Sequence, residues 1–113
     1  MKNPLVSVII PCYNYAAYVE EAIQSVINQT YKNIELIVIN DGSTDNSDEI
    51  ITKLQKKYNF IYHKQKNQGI VATRNKGISL AKGEYLVQLD ADDWLDKTYI
   101  EETLRLAQKK SLD

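Results

Sequence analysis

Asp90, Asp92 and Asp93 close an apolar run, Tyr85-Leu86-Val87-Gln88-Leu89, that is short enough for a strand. If the strand reaches the acids, Asp90 and Asp92 stand two residues apart and start out facing the same side. Two carboxylates about 4 Å apart repel by roughly 4 kcal/mol at an effective dielectric near 20. A helix cap returns only about 1 kcal/mol. One aspartate would serve as a cap, so the pattern points to a hard divalent cation held on oxygen.

Other polar residues follow apolar runs in the same manner. Leu5-Val6-Ser7-Val8-Ile9-Ile10 is β-branched, closed by Pro11, and leads into Cys12-Tyr13-Asn14. Ile34 through Asn40 is a second such run, followed by Asp41-Gly42-Ser43. A carboxylate at the end of a second strand can accept hydrogen bonds from a ribose or from a base N–H. The plainer reading of Asp41 is a tight turn before a helix. Tyr13 can stack on or bond a base, or cap the sheet as a half-buried aromatic. Arg74 follows Gly69, and its fork could reach a base or a diphosphate, or lie solvated on its helix. His63 reads as a core or surface residue, Cys12 as a packed thiol and Trp94 as a wedge between loop and core. The first loop has neither G-x-G-x-x-G nor G-x-x-x-x-G-K-[ST], so glycines do not cradle phosphates there and a metal becomes more necessary.

The elements that must position these residues alternate. After the first strand, Val19, Ala22, Ile23, Val26 and Ile27 recur at helical spacing, and the helix should end near Gln29. Asn46 and Glu49 resemble a capping box for a second helix with Ile50, Ile51, Leu54 and Tyr58 on its inner stripe. Phe60-Ile61-Tyr62-His63 is a shorter strand, and Ile70 to Ala81 a third helix weakened at Gly77. A last helix carries Tyr99, Ile100, Leu104 and Ala107, with Asp96 or Thr98 as cap and Glu101 three residues after Thr98. The βαβαβαβα order predicts an α/β fold: a Rossmann-like parallel sheet, order 3-2-1-4, with helices on both faces. Ligands of such sheets bind outside the carboxyl ends of the strands, between strands 1 and 4. Cys12-Tyr13-Asn14, Asp41-Gly42-Ser43 and Asp90-Ala91-Asp92-Asp93 all fall on that edge.

With 113 residues, 43% hydrophobic and 26% charged, the chain is read as one domain, residues 1–113, of ordinary globular composition. A net charge of -1 with scattered Lys and Arg gives no reason to expect nucleic acid as a partner. The single Cys12 suits a reducing compartment, so a cytoplasmic location is expected. No run approaches the length of a membrane span, and contact with the inner face of a membrane would be made through regions outside these residues. In the 3-2-1-4 order the fourth strand lies at an exposed edge, which predicts dimerisation or aggregation of the isolated piece.

Four ordered motifs, Val6 to Asn14, Val38 to Asp45, Asn67 to Gly77 and Leu89 to Asp93, together resemble the family 2 glycosyltransferases of GT-A fold. The resemblance implies transfer of a sugar, with inversion, from a nucleotide-diphosphate donor, a UDP-sugar first, to an acceptor hydroxyl on a glycan or lipid-linked saccharide. It places Pro11 and Tyr13 beside the nucleoside, Asp41 on the base, and Arg74 as a further nucleotide contact. Asp90 and Asp92 match the D-x-D motif: Asp92 as ligand of Mn²⁺ or Mg²⁺, Asp90 nearer the ribose and in the same metal set, and Asp93 sharing either role. The general base of the family comes from a second stretch, expected beyond Asp113, which makes this chain the donor-binding half of a longer enzyme. A non-catalytic nucleotide-sugar-binding or assembly module is the alternative. A phosphatase of the haloacid dehalogenase type, whose D-x-D ends the first strand, fits poorly with a motif after the fourth.

Overall fold

The computed structural model describes residues 3–111; Met1, Lys2, Leu112 and Asp113, which the single-domain assignment includes, lie outside the described residues. The chain runs β1 (Val6–Cys12), α1 (Val19–Ile27), β2 (Ile34–Asp41), α2 (Ser47–Lys57), β3 (Ile61–Gln65), α3 (Ile70–Leu80), β4 (Tyr85–Gln88) and α4 (Tyr99–Ser111). The strands form one parallel sheet in the order β3-β2-β1-β4, as the alternation predicts.

β1 throughout and β2 from Leu36 onward are buried on both faces, and their alternation divides the core. Val6, Val8, Ile10 and Cys12 of β1, with Leu36 and Val38 of β2, pack against Ile23 of α1, Ile51 and Leu54 of α2, and Ile100 and Leu104 of α4. On the opposite face Ile9, Ile37 and Ile39 meet Leu80 and Ala81 at the end of α3. Gly77 explains how that helix comes so close: a Cβ there would overlap the Cγ2 methyl of Ile9. Ile9 is fully buried and its Cγ2 sits on a branched carbon, so it has little room to yield. Gly77→Ala therefore overpacks the site at about 1–3 kcal/mol, more than the roughly 1 kcal/mol that alanine adds to the helix. A fall of about 5 °C in thermal midpoint is expected by scanning calorimetry, and a rise would contradict this packing.

Several boundaries differ from the sequence expectation, each for a local reason. Pro11 does not close β1 but lies within it, opposite Ile39. Leu5 and Ile9 turn their carbonyls to Glu84 and Leu89, so the odd-numbered residues face β4, whose pairing ends at Ile9 and Gln88. Pro11 is next in that set and forfeits no ladder bond. β3 is shifted to Ile61–Gln65 because pairing with Ile37–Asp41, rather than apolarity, sets its limits. β4 stops at Gln88, and Asp90 to Asp93 form a turn closed by Asp93 N–H to Asp90 O at 2.9 Å. Strand alternation therefore does not place Asp90 and Asp92; the turn does.

Neither capping box forms. At α2 the Asn46 side chain makes no cap bond, and Asp45 Oδ1 instead accepts from the Ser47 N–H at 3.0 Å and the Ser47 hydroxyl at 2.6 Å. At α4 the Glu101 carboxylate accepts from Thr30 and Arg105, while Thr98 donates to Glu102. The start of α4 is capped from inside the protein. Fully buried Gln29 accepts the Ile100 N–H at 3.0 Å and donates to the carbonyls of Ser25 and Asp96. This ties the segment after the acidic turn to α1. Trp94 is 56% exposed and does not wedge that segment against the core.

Candidate nucleotide and metal site

A cavity of about 350 Å³ opens at the carboxyl ends of β1, β2 and β4. Pro11, Tyr13, Asp41, Arg74, Asp90 and Asp92 all line it. Asp93 does not; its Oδ1 accepts from the Trp94 N–H at 3.1 Å. Cys12 also touches the cavity, and burial pushes its thiol up, consistent with a packed and unreactive group.

Asp41 is buried at the end of β2 and all of its acceptor capacity is in use. Oδ1 receives Gln65 Nε2 at 3.0 Å and the Gln68 N–H at 2.8 Å; Oδ2 receives the Gly69 N–H at 3.0 Å and Asn67 Nδ2 at 3.2 Å. Burial drives this carboxyl upward, but the bonds from Gln65, Gln68 and Gly69 outweigh it and hold it below the ordinary carboxylate value. The segment between β3 and α3 is thus folded around Asp41. It passes so close that a Cβ on Gly42, at φ 71, would stand 2.6 Å from the Asn67 nitrogen. Glycine is required there both for the left-handed backbone and for the contact.

The same fold aims α3 at the cavity. Thr73 is buried, donates to the Gly69 carbonyl at 2.7 Å, and fixes the first turn of the helix. One residue on, Arg74 reaches across to Asp90, with Nη2 3.2 Å from Oδ1. The two side chains are 42% and 56% exposed, so the pair contributes under about 1 kcal/mol and a ligand can exchange it. Arg74 Nε, by contrast, is buried and has no acceptor. A buried donor in that condition costs about 1–3 kcal/mol, and an acceptor brought in by a ligand would recover it.

No group of three or more His, Cys, Asp or Glu side chains among the described residues could hold a metal by itself. Asp90 and Asp92 are a partial set. Mg²⁺ and ions of its kind are commonly held by one or two carboxylates, with waters and substrate phosphates completing the shell, so two acids on the wall of an open cavity fit such an ion.

Sequence reasoning missed Tyr15, Asn67, Ile70 and Thr73, which also line the cavity. Asn67-Gln68-Gly69 was legible as a turn, but not that its N–H groups point at Asp41. The signal available was the acidic residue itself, a strand-end carboxylate needing donors.

Known proteins resemble this chain in sequence and in fold. The model of the family described as "Glycosyl transferase family 2" matches residues 7–113. Glycosyltransferase GlyG of Streptococcus pneumoniae serotype 4 is 40% identical over 113 residues, covering 98% of this chain and 38% of that protein. The crystal structure of S. aureus TarS 1-349 in complex with UDP-GlcNAc superposes with a TM-score of 0.84 at 29% identity, over 92% of this chain and 31% of that one. A mannosyltransferase from Pyrobaculum calidifontis, in complex with GDP-Man and Mn²⁺, gives a TM-score of 0.72 at 26% identity, over 81% of this chain and 28% of that one. The chain thus spans about a third of the length of these proteins. A family match over residues 7–113, on a parallel sheet of order β3-β2-β1-β4, makes this chain a member of the glycosyl transferase family 2.

Proposed function

We propose that residues 1–113 bind the nucleoside diphosphate part of a nucleotide-sugar, a UDP-sugar first, and serve a glycosyltransferase that inverts the anomeric centre. The observation that supports this most is the meeting of Tyr13, Asp41, Arg74, Asp90 and Asp92 in one cavity. Tyr13 is 45% exposed and offers a ring face for the base. Asp41 holds the segment that forms the facing wall. A base N–H reaches its carboxylate when the side-chain amide of Gln65 or Asn67 rotates away, whereas the two backbone donors stay. Arg74 supplies the unpaired Nε and, once released from Asp90, its outer nitrogens to phosphate oxygen or a base carbonyl.

Asp92, with Asp90 beside it, would hold Mn²⁺ or Mg²⁺. That ion would supply positive charge to a departing diphosphate. Asp93 points elsewhere and is left out of this set. Activation of the acceptor hydroxyl on a glycan or lipid-linked saccharide is assigned to a carboxylate outside residues 1–113. Support for that assignment is the shared cavity wall, where Asp90 and Asp92 already have the diphosphate to serve.

Calorimetric titration of the chain with UDP, UDP-GlcNAc and GDP, with and without Mn²⁺, tests the reading. Saturable UDP binding that Mn²⁺ strengthens is expected. No nucleotide binding in either condition would overturn it. Tight metal-dependent binding with no turnover by the full-length protein would instead favour a binding module.

A further inference from the structure

Asn14 is the one non-glycine residue among those described with a positive φ, 58°. It stands between Tyr13 and Tyr15, which both face the cavity. Strand pairing cannot place those rings, because β1 ends at Cys12 opposite Asn40. The Asn14 side chain does reach a fixed partner. Its Oδ1 accepts from the Thr44 N–H at 2.7 Å, the Thr44 hydroxyl at 3.3 Å and the Asp45 N–H at 3.2 Å. Its own N–H donates to Ser43 Oγ at 3.0 Å. Asp45 answers in the other direction, with Oδ2 accepting the Ala16 N–H at 3.0 Å. The loops after β1 and β2 are therefore stitched together across 29–31 residues of sequence.

The far side of the stitch is anchored in turn. The Ser43 N–H donates to Asn40 Oδ1 at 3.0 Å, Asn40 Nδ2 donates to the Tyr62 hydroxyl at 3.0 Å, and that hydroxyl donates to Asp48 Oδ1 at 2.8 Å. A residue at position 14 must accept the left-handed backbone and also carry an acceptor two bonds beyond Cβ, where Oδ1 stands. Asparagine and aspartate do both; glycine does only the first, and alanine neither.

We infer that Asn14 is a positioning residue of the pocket: it locks the loop after β1 onto the loop after β2 and so presents Tyr13 and Tyr15 to the ligand. The part of this inference that concerns binding rests on the donor-pocket reading; the locking does not.

The test compares Asn14→Ala, Asn14→Gly and Asn14→Asp with the parent chain, first without ligand. Hydrogen exchange followed by NMR should show the Thr44 and Asp45 amides losing protection in Asn14→Ala and Asn14→Gly but keeping it in Asn14→Asp. The amides of Ile37 and Ile39 in the sheet should stay unchanged in all three, which separates the lock from general unfolding. The Tyr13 ring resonances should move toward those of an unstructured tyrosine in Asn14→Ala. UDP affinity, measured with Mn²⁺ present, should fall about tenfold in Asn14→Ala, less in Asn14→Gly, and stay near the parent value in Asn14→Asp. Thr44 and Asp45 remaining protected in Asn14→Ala would overturn the lock. Equal affinities of Asn14→Ala and Asn14→Asp for UDP would overturn its role in the pocket. A parent chain that binds no UDP would instead overturn the donor reading, and the ligand-free comparison would still decide the lock.

Discussion

Asp41→Ala is expected to lower the stability of the chain by about 3 kcal/mol and its affinity for UDP by about 100-fold. The size follows from what Asp41 holds. Its carboxylate accepts the N–H groups of Gln68 and Gly69 and the side-chain amides of Gln65 and Asn67. Alanine leaves two backbone donors without an acceptor in a partly buried place, and the wall that precedes Arg74 loses its anchor. Asp41→Asn is expected to fall between, since the amide keeps one accepting oxygen but turns an NH₂ toward one backbone donor. Urea unfolding followed by circular dichroism measures the first effect and calorimetry the second. A wild-type urea midpoint in Asp41→Ala would refute the organising role.

Acid should act on the same bonds. The folded-state value of Asp41 lies below its ordinary 3.8, so its contribution is complete above that pH and is lost as pH falls below it. Asp48, lowered by the Tyr62 hydroxyl above all, has the same sign, and so does Asp45, where burial is outweighed by bonds from Ser47 and Ala16. The urea midpoint should therefore be flat near neutrality and drop steeply below about pH 4. In Asp41→Asn the drop should be shallower. Equal slopes for the two proteins would show that Asp41 carries no such linkage.

Asp92→Asn is expected to leave the fold intact and to abolish the gain in UDP affinity that Mn²⁺ provides, a loss of about 100-fold or more in apparent metal affinity. The replacement keeps the shape of an exposed side chain and removes the charge that a hard cation needs. Asp93→Asn is the matched control, because Asp93 lies outside the cavity wall and has its Oδ1 on the Trp94 N–H. It should behave as the parent chain does. Mn²⁺ titrations of the three proteins in the presence of UDP distinguish them. If Asp93→Asn loses as much as Asp92→Asn, the acids act as one diffuse negative patch, and the assignment to Asp92 fails.

The two carboxylate experiments concern residues that the sequence marks in different ways. Asp90, Asp92 and Asp93 stand out by repulsion alone, yet one-dimensional spacing could not say that the turn from Asp90 to Asp93 would send Asp93 off the wall. Asp41 stands out only as one acid at a strand end. Its four donors come from residues 24 to 28 positions later, brought near by the pairing of β2 with β3 and the crossover into α3. Arg74 is one of two cations on α3, with Lys76, and the sequence singles it out only by its place after Gly69 and by resemblance. Thr73 and Gly69 set the turn from which it reaches Asp90.

Periodicity and local chemistry determined the sheet order, the helices on its two faces and the edge on which Tyr13, Asp41 and Asp92 would gather, because burial of β-branched runs and right-handed crossovers leave few other arrangements. Tertiary structure alone decided how that edge is wired. Asn14 clasping the loop after β2, Gln29 capping α4 from the interior, and the ring of donors around Asp41 are bonds between side chains and backbone groups far apart in sequence. Their geometry exists only after the sheet has set the register of the strands. A hydrogen bond demands about 3 Å and a narrow angle, a condition that hydrophobic spacing along a chain does not carry.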